Sequence, residues 1–234
     1  AKMKVQLYST GVELKQVRLD GVTVFDLDHP SPSTGVWWYN ETGHASPNWD
    51  AVDRPTTGEY GLDAVASGDV VYSANPQNGL NTVRLNGTLT TGEIAIDLDG
   101  GLWRELFIVM KVREATFGQT SVVVANDGVE DVLVGTVGTT KFAALPGGVG
   151  AYEYRLNGVL YASTNLQAPM NAWGVVHLRV PGGFVSDVLI GQSQGGAGSQ
   201  AEIDIAEIYA TSTIFQFSDC REIVEHLSVK WGIN

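Results

Sequence analysis

Three acids near the end of the chain have the residue types for chemistry. They are Glu202, Asp204 and Glu207, in the run Glu202-Ile203-Asp204-Ile205-Ala206-Glu207-Ile208-Tyr209. Acidic and apolar residues alternate with period two as far as Ala206, the pattern of a strand with one buried face. Glu202 and Asp204 therefore share a face, and Glu207 joins them only if a bulge near Ala206 adds a residue to the strand. Carboxylates grouped in this way are what acid–base catalysis draws on. A second group is aromatic: Trp37-Trp38-Tyr39, with His44 and Trp49 close behind, in a stretch rich in Pro, Ser and Gly. Exposed indole and phenol rings stack on the apolar faces of sugars, and loops at the end of a β-sandwich can carry such a platform. Trp38, Tyr39, His44 and Trp49 are therefore the candidate ligand-binding set. The favoured alternative is burial, since large aromatics are mostly inside; it puts Trp37 and Tyr39 in the core and leaves Trp38 and Trp49 near the surface.

The remaining candidates are weaker. Asp97-Leu98-Asp99-Gly100 offers two carboxylates to a cation, but Ca²⁺ takes six to eight oxygens and Asp-x-Asp-Gly is an ordinary turn. No cofactor is expected, with Ca²⁺ the one open alternative. His29, His44, His177 and His226 show no metal-ligand spacing. Cys220, the single cysteine, falls on the apolar stripe of a helix, where thiols are packed and inert. A phosphate-binding Gly loop, a Ser-His-Asp grouping and a Cys pair are all missing from the sequence.

The elements that must position these residues are mostly strands. The chain has 28 glycines and 17% charged residues, with short apolar runs between turn residues, which is the composition of an all-β protein. Runs over 4–9, 12–19 and 22–27 are separated by Thr10-Gly11 and Asp20-Gly21, so a hairpin opens the chain. Five prolines between Asp28 and Gly92 mark long loops around a few short strands. From Gly92 onward nine strands are expected, over 92–98, 105–112, 120–125, 129–137, 152–156, 159–163, 174–180, 184–191 and 202–209. Asn157-Gly158 gives the cleanest hairpin signal. None of these strands is followed by a crossover helix, so the sheets are antiparallel and packed face to face. Cys220, Ile223, Val224, Leu227 and Trp231 then follow helical spacing, with Ser218 placed as N-cap and Gly232 after the last periodic residue.

The chain has 234 residues, enough for one large β-domain with a sizeable core. Its 14 basic and 26 acidic side chains give a formal charge of −12. That balance disfavours a phosphate backbone or an anionic membrane surface as partner, so neither nucleic acid nor membrane is expected. The single cysteine excludes an internal disulfide framework. The sequence from Ala1 to Val5 lacks the apolar core of a signal peptide, which points to synthesis in a host cytoplasm.

Two segments carry a resemblance to a known family. Glu202–Tyr209 followed by a helix ending Lys230-Trp231-Gly232-Ile233 resembles the end of the laminin-G-like jelly-roll domains of the concanavalin A-like lectin/glucanase superfamily. Arg54-Pro55-Thr56, followed later by Asn78-Gly79-Leu80-Asn81-Thr82-Val83-Arg84-Leu85-Asn86-Gly87, resembles a segment of the same domains, with Leu85 where the family has Phe. The resemblance implies an all-β, two-sheet antiparallel jelly-roll sandwich, concanavalin A-like, over residues 29–234, closed by a short C-terminal helix. Residues 1–28 would be an N-terminal β-hairpin serving as an attachment extension.

The same superfamily contains laminarinase- and carrageenase-type glycoside hydrolases, whose Glu-x-Asp-x-x-Glu signature Glu202, Asp204 and Glu207 resemble. In that reading Glu202 is the nucleophile and Glu207 the acid/base, about 5 Å apart. The motif lies late in the chain, however, and the non-catalytic laminin-G-like domains show the same Asp-Ile-Ala-Glu-Ile strand with its acids on the outer face or against the C-terminal helix. The expectation is therefore a non-enzymatic structural and adhesion protein of a virus particle, a bacteriophage capsid decoration or tail component. Its partners would be other virion proteins or copies of itself, with cell-surface glycan as a further ligand, and its location the virion. The alternatives are a carbohydrate-binding module of a secreted, extracellular protein and a glycoside hydrolase.

Overall fold

The computed structural model describes side chains over residues 77–78, 82–85, 94–96, 102–117, 121–143, 152–162, 165–185, 187–191, 193 and 202–233, and elsewhere the backbone of the strands named here. In chain order the strands are β1 (Gln16–Leu19), β2 (Val22–Asp26), β3 (Val36–Tyr39), β4 (Asn48–Trp49), β5 (Ala51–Val52), β6 (Ala64–Ser67), β7 (Val70–Gln77), β8 (Leu80–Leu85), β9 (Glu93–Ile96) and β10 (Glu105–Val112). They continue with β11 (Ser121–Asn126), β12 (Glu130–Gly135), β13 (Lys141–Ala144), β14 (Glu153–Leu156), β15 (Val159–Tyr161), β16 (Leu166–Gln167), β17 (Gly174–Arg179), β18 (Val188–Ile190) and β19 (Ile203–Thr211). The chain ends in the helix α1 (Phe217–Trp231).

These strands form the expected two-sheet antiparallel sandwich. One sheet has nine strands, ordered β15-β14-β17-β10-β19-β3-β5, with β8 also on β19 and β7 on β8. The other has eight, ordered β16-β13-β12-β11-β18-β9-β6-β4. Every strand ladder is antiparallel, and the opening hairpin is present as β1 paired with β2. Asn157 and Gly158 both take positive φ, 50° and 79°, as a two-residue turn between β14 and β15 requires.

Among the described residues three apolar clusters form, a small one of Val122, Ala125, Val134 and Leu189 and two larger ones. The largest lies between the sheets and includes Leu106, Ile108, Met110, Val123, Leu133, Phe142, Leu178, Ile190, Ile205 and Ile208. The next lies on the outer face of the nine-stranded sheet, where Phe107, Val109, Val175, Ala206 and Tyr209 meet Cys220, Ile223, Val224, Leu227 and Trp231 of α1. The helical spacing seen in the sequence thus names the buried face of α1 correctly. Its N-terminus differs from expectation: the cap residue is Gln216, with no side-chain cap, and Ser218 lies inside the helix with its hydroxyl on Asp219. Gly232 ends the helix at φ 61°, the left-handed conformation that only glycine adopts without strain.

Candidate functional site

The acids of β19 are placed by a bulge. In its ladder with β10, Glu207 faces Val109 and Ile205 faces Met110, so Ala206 is the unmatched residue, where the broken alternation puts it. Ile203, Ile205, Ile208 and Ala210 join the core between the sheets. Asp204 and Glu207 are left on the outer face, with Tyr209 beyond them in the cluster beneath the helix.

There the acids serve as anchors. Asp204 accepts from Arg84 Nε at 2.8 Å, Lys111 Nζ at 3.1 Å and Arg113 at 3.2 Å. Burial alone would raise its pKa, but the bonds from Arg84 and Lys111 outweigh that and hold it below the ordinary 3.8. Glu202 pairs with Arg113 Nε at 2.9 Å. Glu207 is sealed under α1: Trp231 Nε1 donates to it at 2.6 Å and Lys230 Nζ lies 3.2 Å away, with none of its side chain exposed. Lone pairs engaged in this way, beneath a packed helix, leave Glu207 no approach for a sugar. The glycosidase roles proposed for Glu202 and Glu207 therefore do not fit, and the outer-face, helix-contacting placement does.

A second buried carboxylate holds the other end of α1. Glu105, the first residue of β10, accepts from Arg179 Nε at 2.8 Å and from the backbone N–H of Phe215 at 3.1 Å, and it bonds His177 Nε2 at 2.5 Å. Arg179 also donates to the carbonyl of Phe215 at 2.9 Å and to Cys220 Sγ at 3.3 Å. His177 stacks on Phe107, ring centroids 4.1 Å apart, and its buried Nδ1 has no hydrogen-bond partner among the described residues. Burial lowers the pKa of His177 below 6.5 against the opposing pull of Glu105, and it raises that of Cys220 to about 11, which disfavours the thiolate.

Glu105, His177 and Cys220 have the residue types of a metal site, with their ligand atoms within 4.8 Å of one another. The position a cation would take is already served by the guanidinium of Arg179, which bonds both Glu105 and Cys220. The group is a charge-balanced anchor, not an ion cage. Sequence reading missed it because its members lie on different elements; the one local signal is His177-x-Arg179, two residues apart and so on one face of β17.

The C-terminus of α1 is gripped from the β7–β8 hairpin. Gln77 donates to the carbonyl of Trp231 at 2.5 Å and Asn78 to that of Lys230 at 2.7 Å, supplying carbonyls that the helix leaves without partners. The two sequence segments that carried the family resemblance therefore touch: Asn78 meets Lys230, and Arg84 meets Asp204.

Of the aromatic set, Trp38 and Tyr39 lie in β3 opposite Ile208 and Glu207, and Trp49 lies in β4 opposite Ala64. His44, the side chains of these three residues, and the stretch Asp97–Gly100 lie outside the described residues.

No protein-family model matches the chain, and no curated protein matches it. Among solved structures it matches a Trypanosoma rangeli sialidase in complex with the inhibitor DANA, at 14% identity and a TM-score of 0.51. The match covers 90% of this chain and 35% of the sialidase, so the chain spans about a third of that protein. The likeness shows the fold, a two-sheet β-sandwich. It also corrects one expectation: the chain was read as non-enzymatic, whereas the matching structure is an enzyme, so the fold gives no ground for excluding catalysis. No activity follows from the likeness either.

Proposed function

We propose that this chain is a recognition and adhesion domain, a laminin-G-like jelly roll that binds cell-surface glycan and is carried on a virus particle. The observation that supports glycan recognition is the likeness of nearly the whole sandwich to a third of a sialidase. The finer family reading rests on the contacts between the two resembling segments, Asn78 with Lys230 and Arg84 with Asp204. The virion reading rests on the chemistry of the chain: one buried, unpaired cysteine and a core built without disulfides. Trp38, Tyr39, His44 and Trp49 are the residues proposed to contact the sugar, because stacking aromatics are the platform that sugar faces require.

A second reading is favoured by the coverage of the sialidase: a carbohydrate-binding domain of a larger extracellular protein. One set of measurements tests both. The chain is titrated against a panel of glycans, and Trp49→Ala is expected to weaken binding at least tenfold while leaving the fold intact. A folded chain that binds no glycan would overturn the recognition reading. Antibody against the chain should label purified particles if the virion reading holds, and absence from particles would leave the larger-protein reading.

A further inference from the structure

We propose that α1 is an acid-released latch: protonation of the buried His177 frees the helix from the outer face of the nine-stranded sheet while the sandwich beneath stays folded.

The geometry around His177 carries this. The ring is closed in by Phe107, its Nε2 is committed to Glu105, and its Nδ1 is buried with no acceptor among the described residues. A second N–H on the ring would have nothing to donate to, and a buried donor without a partner is costly. The charged and titratable groups facing the ring are Glu105 on β10, Arg179 on β17, Arg155 on β14 and the Cys220 thiol on α1, with Glu153 of β14 behind the two arginines. Arg179 and Arg155 oppose an added positive charge, and Glu105 is already bonded to Arg179. The same Glu105 and Arg179 hold both backbone groups of Phe215, two residues before α1 begins. Disturbing this hub loosens the lead into the helix.

Release stops at the helix because the cluster beneath α1 is separate from the one between the sheets. Lifting α1 exposes Phe107, Val109, Val175 and Tyr209 but leaves the cluster between the sheets intact. Local opening of such a unit at less than the global free energy is a general property of folded proteins.

The sign follows from burial. His177 binds a proton less readily in the closed state than in water, so the open state takes up more protons. Closure is fully favoured above the ordinary 6.5 and weakens as pH falls below it, levelling off below the closed-state value. The closed-to-open ratio should fall as pH drops through 6.5, by up to about tenfold at about pH 5.5.

Amide hydrogen exchange on the full chain, corrected for the intrinsic pH dependence, tests this. Protection across residues 217–231 should fall by that factor while β11 and β12 keep theirs. His177→Gln, which can still donate to Glu105 but cannot titrate, should abolish the fall, and His226→Gln, on the helix itself, should not. Unchanged protection of the helix, equal loss in β11 and β12, or a fall that survives His177→Gln would overturn the latch. If His177→Gln does not fold, NMR titration of the His177 ring in the wild type decides: proton uptake should accompany helix opening, and uptake with the helix still protected overturns the proposal.

Discussion

On the inner side of β19, Ile203, Ile205, Ile208 and Ala210 fill the space between the sheets; on the outer side, Asp204, Glu207, Tyr209 and Thr211 meet cations, a helix and a neighbouring strand. The two sets are buried to nearly the same degree, none above 3% exposed. Their burial is made favourable in different ways. The inner set needs volume and no partners, so a similar apolar side chain can serve in its place. The outer set needs particular donors in particular places, because a buried carboxylate without them carries an uncompensated charge.

Mutations that remove one partner on each side should separate the two kinds of burial. Glu207→Ala strands the Trp231 N–H and the Lys230 ammonium beneath α1, and unfolding in urea should show a loss of about 3–5 kcal/mol. A loss below about 1 kcal/mol would mean that α1 does not depend on that carboxylate. Asp204 should leave a mark on the acid limb of stability. Its carboxyl titrates below 3.8 in the folded chain, so its contribution is present above that pH and lost as pH falls through the folded value. Asp204→Asn should flatten the limb, and an identical acid limb in the variant would show that the cations around it are immaterial.

On the inner side Ile208→Val removes one methylene from a fully buried site and should cost about 0.5–1.5 kcal/mol by the same urea measurement. A cost matching that of Glu207→Ala would erase the distinction between the faces. The smallest effect is expected at the rim. Asn78→Ala loses one exposed bond to the carbonyl of Lys230 and should cost about 0.5–1 kcal/mol, read as faster exchange in the last turn of α1.

The sequence revealed most where one residue pattern answers to one neighbour. The break in alternation at Ala206 gave away the bulge, because an acid–apolar repeat has no other way to keep Glu207 out of the core. The spacing of Cys220, Ile223, Val224, Leu227 and Trp231 named the buried face of α1 because that face meets one flat sheet. Strands β13 and β16 went unseen: Lys141-Phe142-Ala143-Ala144 is short and half alanine, and Leu166-Gln167 is two residues long, so neither shows a period. The strand expected from Phe184 begins only at Val188, because the turn at Pro181-Gly182 and Gly183 at φ 78° delay the ladder. Glu105 looked like the polar end of a strand, and its role became visible only once β17 and α1 were brought to it. Such a constellation has no linear signature, since each member is ordinary in its own segment.

The position of β19 in the sheet has a consequence for how the protein is made. It lies between β10 on one side and β3 and β8 on the other, so the middle of the nine-stranded sheet is supplied by a segment synthesised after all three of its neighbours. Until it arrives, β10 and β8 present open edges and the core between the sheets lacks Ile203, Ile205, Ile208 and Ala210. Pairing across so much intervening chain is slow, and such edges recruit strands from other nascent chains. During synthesis the growing chain is therefore a candidate for chaperone capture, and a frameshift or stop codon shortly before residue 203 should yield aggregate instead of a smaller folded domain.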